Sequence, residues 1–89
     1  MNMNLKGARE RGLACLKVDD AMSLGKLVRQ VRKSQGLTLE MLAGLCGLSI
    51  RFLSELENGR ETCSFVRIMR VLDTLGIELH ACPPEAMTE

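Results

Sequence analysis

Apolar residues recur at helical spacing in four blocks between residues 19 and 76, each opened by a capping residue and closed by glycine. In the first, Leu24, Leu27, Val28 and Val31 follow the i, i+3, i+4, i+7 spacing of a stripe facing a core. Lys26, Arg29, Arg32 and Lys33 fill the remaining faces, Asp19 or Asp20 supplies the N-cap, and Gly36 follows the last turn. Thr38 caps a second, short helix with Glu40 in its first turn; Leu42, Ala43, Leu45 and Cys46 are its apolar positions, and Gly47 interrupts it. Ser49 caps a third, in which Ile50, Leu53 and Leu56 or Glu57 lead to a stop at Asn58–Gly59. Ser64 caps a fourth with the stripe Phe65, Ile68, Met69, Leu72 and Leu75, ended by Gly76. Beyond it Ile77, Leu79 and Ala81 alternate with Glu78, His80 and Cys82, a strand signal over 77–82 that Pro83–Pro84 closes.

The flanks carry no comparable period. Residues 1–18 form an N-terminal arm, polar over 1–12, with the apolar run Leu13–Val18 open between strand and helix. Residues 83–89 are expected to be a flexible tail. The expected fold is therefore all-α: a bundle of four to five helices over 19–76 with a short C-terminal β-strand over 77–82.

Length and composition narrow the function. At 89 residues the chain supports one domain, small enough to be marginally stable alone, so association of two copies is expected. Two Phe and no Trp or Tyr leave no platform for stacking unpaired bases, which directs any nucleic-acid reading to duplex grooves. The net charge is only +1, but no acid falls between Ala21 and Leu39, where Lys26, Arg29, Arg32 and Lys33 lie. Such a face binds phosphates even on a near-neutral protein; it also serves as an ordinary solvated helix face. Cys15, Cys46, Cys63 and Cys82 lack C-x-x-C spacing, and His80-x-Cys82 offers two ligands where a metal site needs more, so no metal or cofactor is expected. Without a secretory signal or a membrane-length apolar run, reduced thiols and a cytoplasmic, nucleoid-associated location are expected. The lone His has no nucleophile–base–orienter arrangement around it and there is no phosphate-cradling glycine loop, so the chain is not expected to be an enzyme.

The informative stretch is TLEMLAGLCGLSIRFLSELENG, residues 38–59. Two short helices crossing steeply need a small residue at their contact, which Ala43 supplies, and a tight turn needs a residue tolerant of positive φ, which Gly47 supplies. Leu53 and Leu56 then pin the inner side of the third helix. Ser49, Ile50, Arg51, Phe52, Ser54 and Glu55 are left at or near its exposed face, the geometry in which a helix N-terminus enters a major groove. An ordinary helical hairpin shares the small-residue and glycine spacing. The basic helix before it, the Gly59–Arg60 corner after it and the amphipathic helix beyond favour the DNA-binding reading.

Residues 20–76 resemble the lambda-repressor-like, Xre-type helix-turn-helix family, carried by GLTLEMLAGLCGLSIRFLSELENGR, with the L-E-N-G close of its recognition helix. The extension RVLDTLGIELHACP is similar to the HipB-type antitoxins. There, the resemblance implies, a C-terminal strand pairs between two subunits and the dimer represses its own operon while binding a HipA-like kinase toxin. Position by position, it places Thr38 and Leu39 where the second helix approaches DNA. Ser49, Ile50, Arg51 and Glu55 fall where the recognition helix reaches backbone and base edges, and Asn58 and Arg60 at a phosphate-facing corner. Leu39 and Ile50 stand where many members carry Gln, so a bidentate adenine contact is lost and Ile50 is left a thymine methyl. Arg51 becomes the expected guanine reader. Glu55 either accepts from cytosine N4 or pairs with Arg51 one turn earlier. Phe52 is either half-buried packing or an apolar groove contact. Arg32 and the other basic residues of the first helix would position the protein on phosphates.

These expectations amount to a sequence-specific repressor of double-stranded DNA, acting as a homodimer through Leu75, Ile77, Leu79 and Ala81. Two alternatives stand beside it. Strand 77–82 pairs either across a two-fold axis or with Leu13–Val18 of the same chain, because an exposed strand edge left alone is a liability. The whole fold is either a DNA-binding regulator or an interaction module that holds a toxin or other partner with little DNA binding of its own.

Overall fold

The computed structural model describes residues 15–85. It holds four helices, α1 (Ala21–Ser34), α2 (Leu39–Cys46), α3 (Ile50–Glu57) and α4 (Phe65–Leu75), and no strand among the described residues.

Each helix begins where a side chain takes over an amide that the helix leaves unpaired. Asp20, extended at φ −157°, accepts from the Ser23 N–H at 2.8 Å while Ser23 Oγ accepts from the Asp20 N–H at 3.1 Å, a reciprocal box. The Ser23 amide, with the Ser23 hydroxyl beside it, holds the Asp20 carboxyl below its ordinary range. Thr38 Oγ1 accepts from the Met41 N–H and Ser49 Oγ from that of Phe52, both at 3.0 Å; Ser64 does the same for Arg67. The ends are equally local. Gly47, left-handed at φ 69°, turns the chain out of α2 while the Ala43 carbonyl accepts from the Gly47 and Leu48 amides at 2.9 and 3.1 Å.

α1 packs on α3 and α4, and α2 packs on the same two helices. The core is aliphatic: Val28 from α1, Leu42, Ala43 and Cys46 from α2, Leu53 and Leu56 from α3, and Val71, Leu72 and Leu75 from α4. Two stripes differ in part from expectation. In α1 the buried positions are Gly25, Val28 and Arg32, with Leu24 and Val31 only partly covered. The reason is Gly25: a Cβ there would overlap the Leu56 carbonyl oxygen and sit 2.8 Å from that of Glu57, so its bare backbone lets α1 close onto the end of α3. In α4 Leu72 and Leu75 are buried and Ile68 and Met69 pack against the core as expected, joined by Val71. Phe65, at the start of the helix, is 66% exposed.

Residues 77–82 form no strand ladder with the described residues. The Ile77 amide closes the end of α4 on the Leu72 carbonyl at 2.9 Å, and the Ile77 side chain packs against the core, while Leu79 is exposed. The alternative pairing with Leu13–Val18 is absent for the described part of that segment: residues 15–18 are exposed and irregular. A strand exists only through a neighbour's amides and carbonyls, and alternation of side chains does not supply one. The expected arm residues 1–14 and the end of the tail, 86–89, lie outside the described residues. No described helix is long and apolar enough to cross a membrane.

Candidate nucleic-acid interface

α3 is wedged by one side and open on the other. Leu53, Leu56 and Glu57 are buried, and Ser49, Ile50 and Arg51 are exposed at its N-terminal end. Phe52 is half-buried against the core, which is the packing alternative for that residue. Thr38 and Leu39 open α2 beside it; Thr38 is exposed with its hydroxyl engaged in the cap, whereas Leu39 is half-buried against the core. Ile50 keeps 46% of its surface open.

The polar residues of this face are linked. Arg51 Nε lies 3.3 Å from Glu55 Oε2 one turn later, and Arg60 Nη1 lies 2.7 Å from the same oxygen. This is the ion-pair alternative for Glu55, extended by a second guanidinium that the spacing alone did not indicate. Asn58 is exposed at the corner, its Nδ2 donating to the Ser54 carbonyl at 2.8 Å. Arg51 is the most open of the three charged side chains, 85% exposed.

Two expected site residues lie elsewhere. Arg32 is not on a phosphate-facing surface: it is buried between α1 and α3. Its Nε and Nη2 donate to the two oxygens of Glu57 at 2.6 and 3.0 Å, and its Nη1 donates to the Leu37 carbonyl at 2.7 Å. The bidentate bond to Glu57 raises the already high pKa of the guanidinium, so the charge stays and stays paired. Arg32 orients α3 and is unavailable to DNA. Leu75, expected at a dimer interface, is 4% exposed in the core of its own chain, and its carbonyl accepts from Gln35 Nε2 at 2.8 Å. Of the basic residues of α1, Lys26, Arg29 and Lys33 remain exposed.

Glu57 and Gly25 were missed as positioning residues. Their signal was present: a glycine inside a helix of good formers, and an acid on the side of α3 that carries Leu53 and Leu56. His80 and Cys82 do not gather a metal site, and no cluster of three or more His, Cys, Asp or Glu suited to one occurs among the described residues.

A family model described as a helix-turn-helix domain matches residues 23–81. The chain belongs to the helix-turn-helix domain family. A helix-turn-helix-type transcriptional regulator of Sinorhizobium fredii, itself uncharacterized, is 37% identical over 68 residues, spanning 76% of this chain and 90% of that protein. Among solved structures, HipB in a HipA–HipB–O2–O3 complex superposes with a TM-score of 0.72 at 21% identity, covering 80% of this chain and all of that one, which establishes the fold. The restriction-modification controller protein C.AhdI of Aeromonas hydrophila superposes with a TM-score of 0.60 at 33% identity, over 65% of this chain and 88% of its own. The matches support a DNA-binding regulator of this helix-turn-helix family and extend past α4 into the segment that follows it.

Proposed function

We propose that this helix-turn-helix protein is a sequence-specific repressor of double-stranded DNA that acts as a homodimer by occupancy. Two α3 helices, about one helical turn of DNA apart, enter successive major grooves and block the promoter. The observation that carries the reading is the placement of Arg51: an exposed guanidinium near the N-terminal end of a short helix whose opposite side is anchored in the core. Arg51 reads a base edge, guanine by preference, because its fork matches O6 and N7. Ile50 contacts a thymine methyl. Thr38, Leu39, Ser49, Asn58 and Arg60 approach the backbone, and Lys26, Arg29 and Lys33 add charge without sequence choice.

The dimer forms through residues 77–82. Ile77 already packs on the core, and Ile77, Leu79 and Ala81 alternate with Glu78, His80 and Cys82, the pattern of a strand that pairs with a second copy across a two-fold axis. Regulation of its own operon and pairing with a HipA-like kinase toxin are the finer part of the proposal. The fold shared with HipB and the extension beyond α4 support them.

Mobility shifts across a salt series test the central claim, with the segment upstream of the protein's own gene and with Arg51→Ala alongside wild type. The variant is expected to lose about 1–3 kcal/mol of specific binding while keeping its non-specific component. A truncation lacking residues 77–89 is expected to sediment as a monomer. A second reading has one observation in its favour: Met41 and Leu45, one turn apart on α2, are 50% and 64% exposed, as on a surface that holds a protein partner. Failure of wild type to shift that DNA even at low salt would select it over autoregulation.

A further inference from the structure

Glu55 stands at the centre of the exposed polar network of α3, and its carboxylate is already engaged. Oε2 is shared by two guanidiniums, Arg60 at 2.7 Å and Arg51 at 3.3 Å. Arg60 is held a second time, its Nε–H donating to Thr62 Oγ1 at 2.9 Å. The main chain fixes the same corner, because the Arg60 N–H donates to the Glu55 carbonyl at 3.0 Å. The two Arg residues are therefore held unequally. Arg60 has three anchors and half of its side chain covered; Arg51 has one long bond and is almost fully exposed.

An unpaired carboxylate at this place would repel a phosphate backbone. Flanked by two guanidiniums, it instead leaves the trio with one net positive charge and two cations whose bonds to Glu55 compete with any phosphate. We propose that Glu55 is a positioning and specificity residue that reads no base: it locks Arg60 at the corner after α3 and suppresses the attraction of both Arg residues for DNA backbone in general. A duplex that gives Arg51 a base edge draws it from its weak bond, and a duplex that gives it only phosphate does so poorly. This deepens the DNA-binding reading above and rests on it.

The test uses the full-length protein with Glu55→Gln, which keeps the shape and removes the charge, and a random-sequence duplex as probe over a KCl series. For the variant, the slope of log affinity against log salt is expected to steepen by about 0.9, one further phosphate engaged. Affinity for random duplex at low salt is expected to rise about three- to tenfold, the scale of one added counterion release. In the DNA-free protein, the Arg60 Nη1–H group, which faces Glu55 Oε2 at 2.7 Å, is expected to lose its protection from solvent exchange in the variant. Unchanged slope and random-duplex affinity overturn the proposal. So does a shift of preference at a single base pair with random binding unaltered, which would make Glu55 a base reader. Wild type that binds no duplex at any salt overturns the DNA-binding reading itself, and that result is visible without the variant.

Discussion

Replacing Arg32 by Met tests whether the buried ion pair sets the position of α3. Arg32 and Glu57 expose 8% and 4% of their side chains and meet through two charge-assisted bonds, with the Leu37 carbonyl taking a third donor from the guanidinium. Met approximates the volume and leaves the Glu57 carboxylate buried without its partner. Breaking one side of such a pair costs about 3–5 kcal/mol, much of it the desolvation of the charge left behind. The orphaned Leu37 carbonyl adds about 1 kcal/mol. A domain of 89 residues has about 4–13 kcal/mol of stability in all, so the single variant sits near the threshold of folding. At about 4–8 °C per kcal/mol, a loss of 3 kcal/mol lowers Tm by about 12–24 °C. The double variant Arg32→Met/Glu57→Leu removes both charges and is expected to recover most of that loss, because the apolar pair has no desolvation to repay. Urea titrations followed by circular dichroism give the four corners of the cycle. Single variants each costing under 1 kcal/mol, or a double variant costing the sum of the singles, would refute the reasoning.

Three further expectations follow from the same structure. Gly25→Ala raises helix propensity by about 1 kcal/mol yet is expected to destabilise the protein in thermal melts, since the added methyl meets the backbone carbonyls of Leu56 and Glu57 with no flexible side chain to yield. Asp20, held below its ordinary range by the Ser23 amide and hydroxyl, lends stability that is present above the unfolded carboxylate's pKa and is lost as pH falls through the lowered folded value. Acid titration of wild type against Asp20→Asn, followed by helicity, should show the wild-type advantage shrinking over that window. Burial pushes the Cys63 thiol up, so iodoacetamide at neutral pH is expected to label exposed Cys15 and Cys82 before Cys63, which peptide mass mapping checks.

Local signals and non-local ones separate cleanly here. Asp20, Thr38, Ser49 and Ser64 were legible as caps because a cap bonds an amide three residues ahead, within reach of the sequence window. Gly36, Gly47 and Gly76 were legible as stops because positive φ at a helix end favours glycine, and all three adopt it. The inner positions Leu53 and Leu56 and the outer position Arg51 follow from one helical period. Arg32 was misplaced for the complementary reason. Its charge put it on the solvent face of an isolated helix, and its partner Glu57 is 25 residues away, so nothing near it in the chain announced that the pair would be buried. Phe65 was placed in the core by spacing and is 66% exposed, because a helical period says which face a residue lies on and not how far along the helix the core extends.

The chain by itself therefore determined the order and ends of the four described helices and the helix-turn-helix at 38–59, since these depend on bonds and periodicities spanning a few residues. Tertiary structure decided which cations face solvent, how α1 and α3 approach through Gly25, that Leu75 belongs to its own core, and that Glu55 gathers two guanidiniums. It also left 77–82 without a ladder among the described residues. Those outcomes depend on which surfaces meet when the helices pack, and burial, desolvation and pairing are settled only by the neighbours that packing brings.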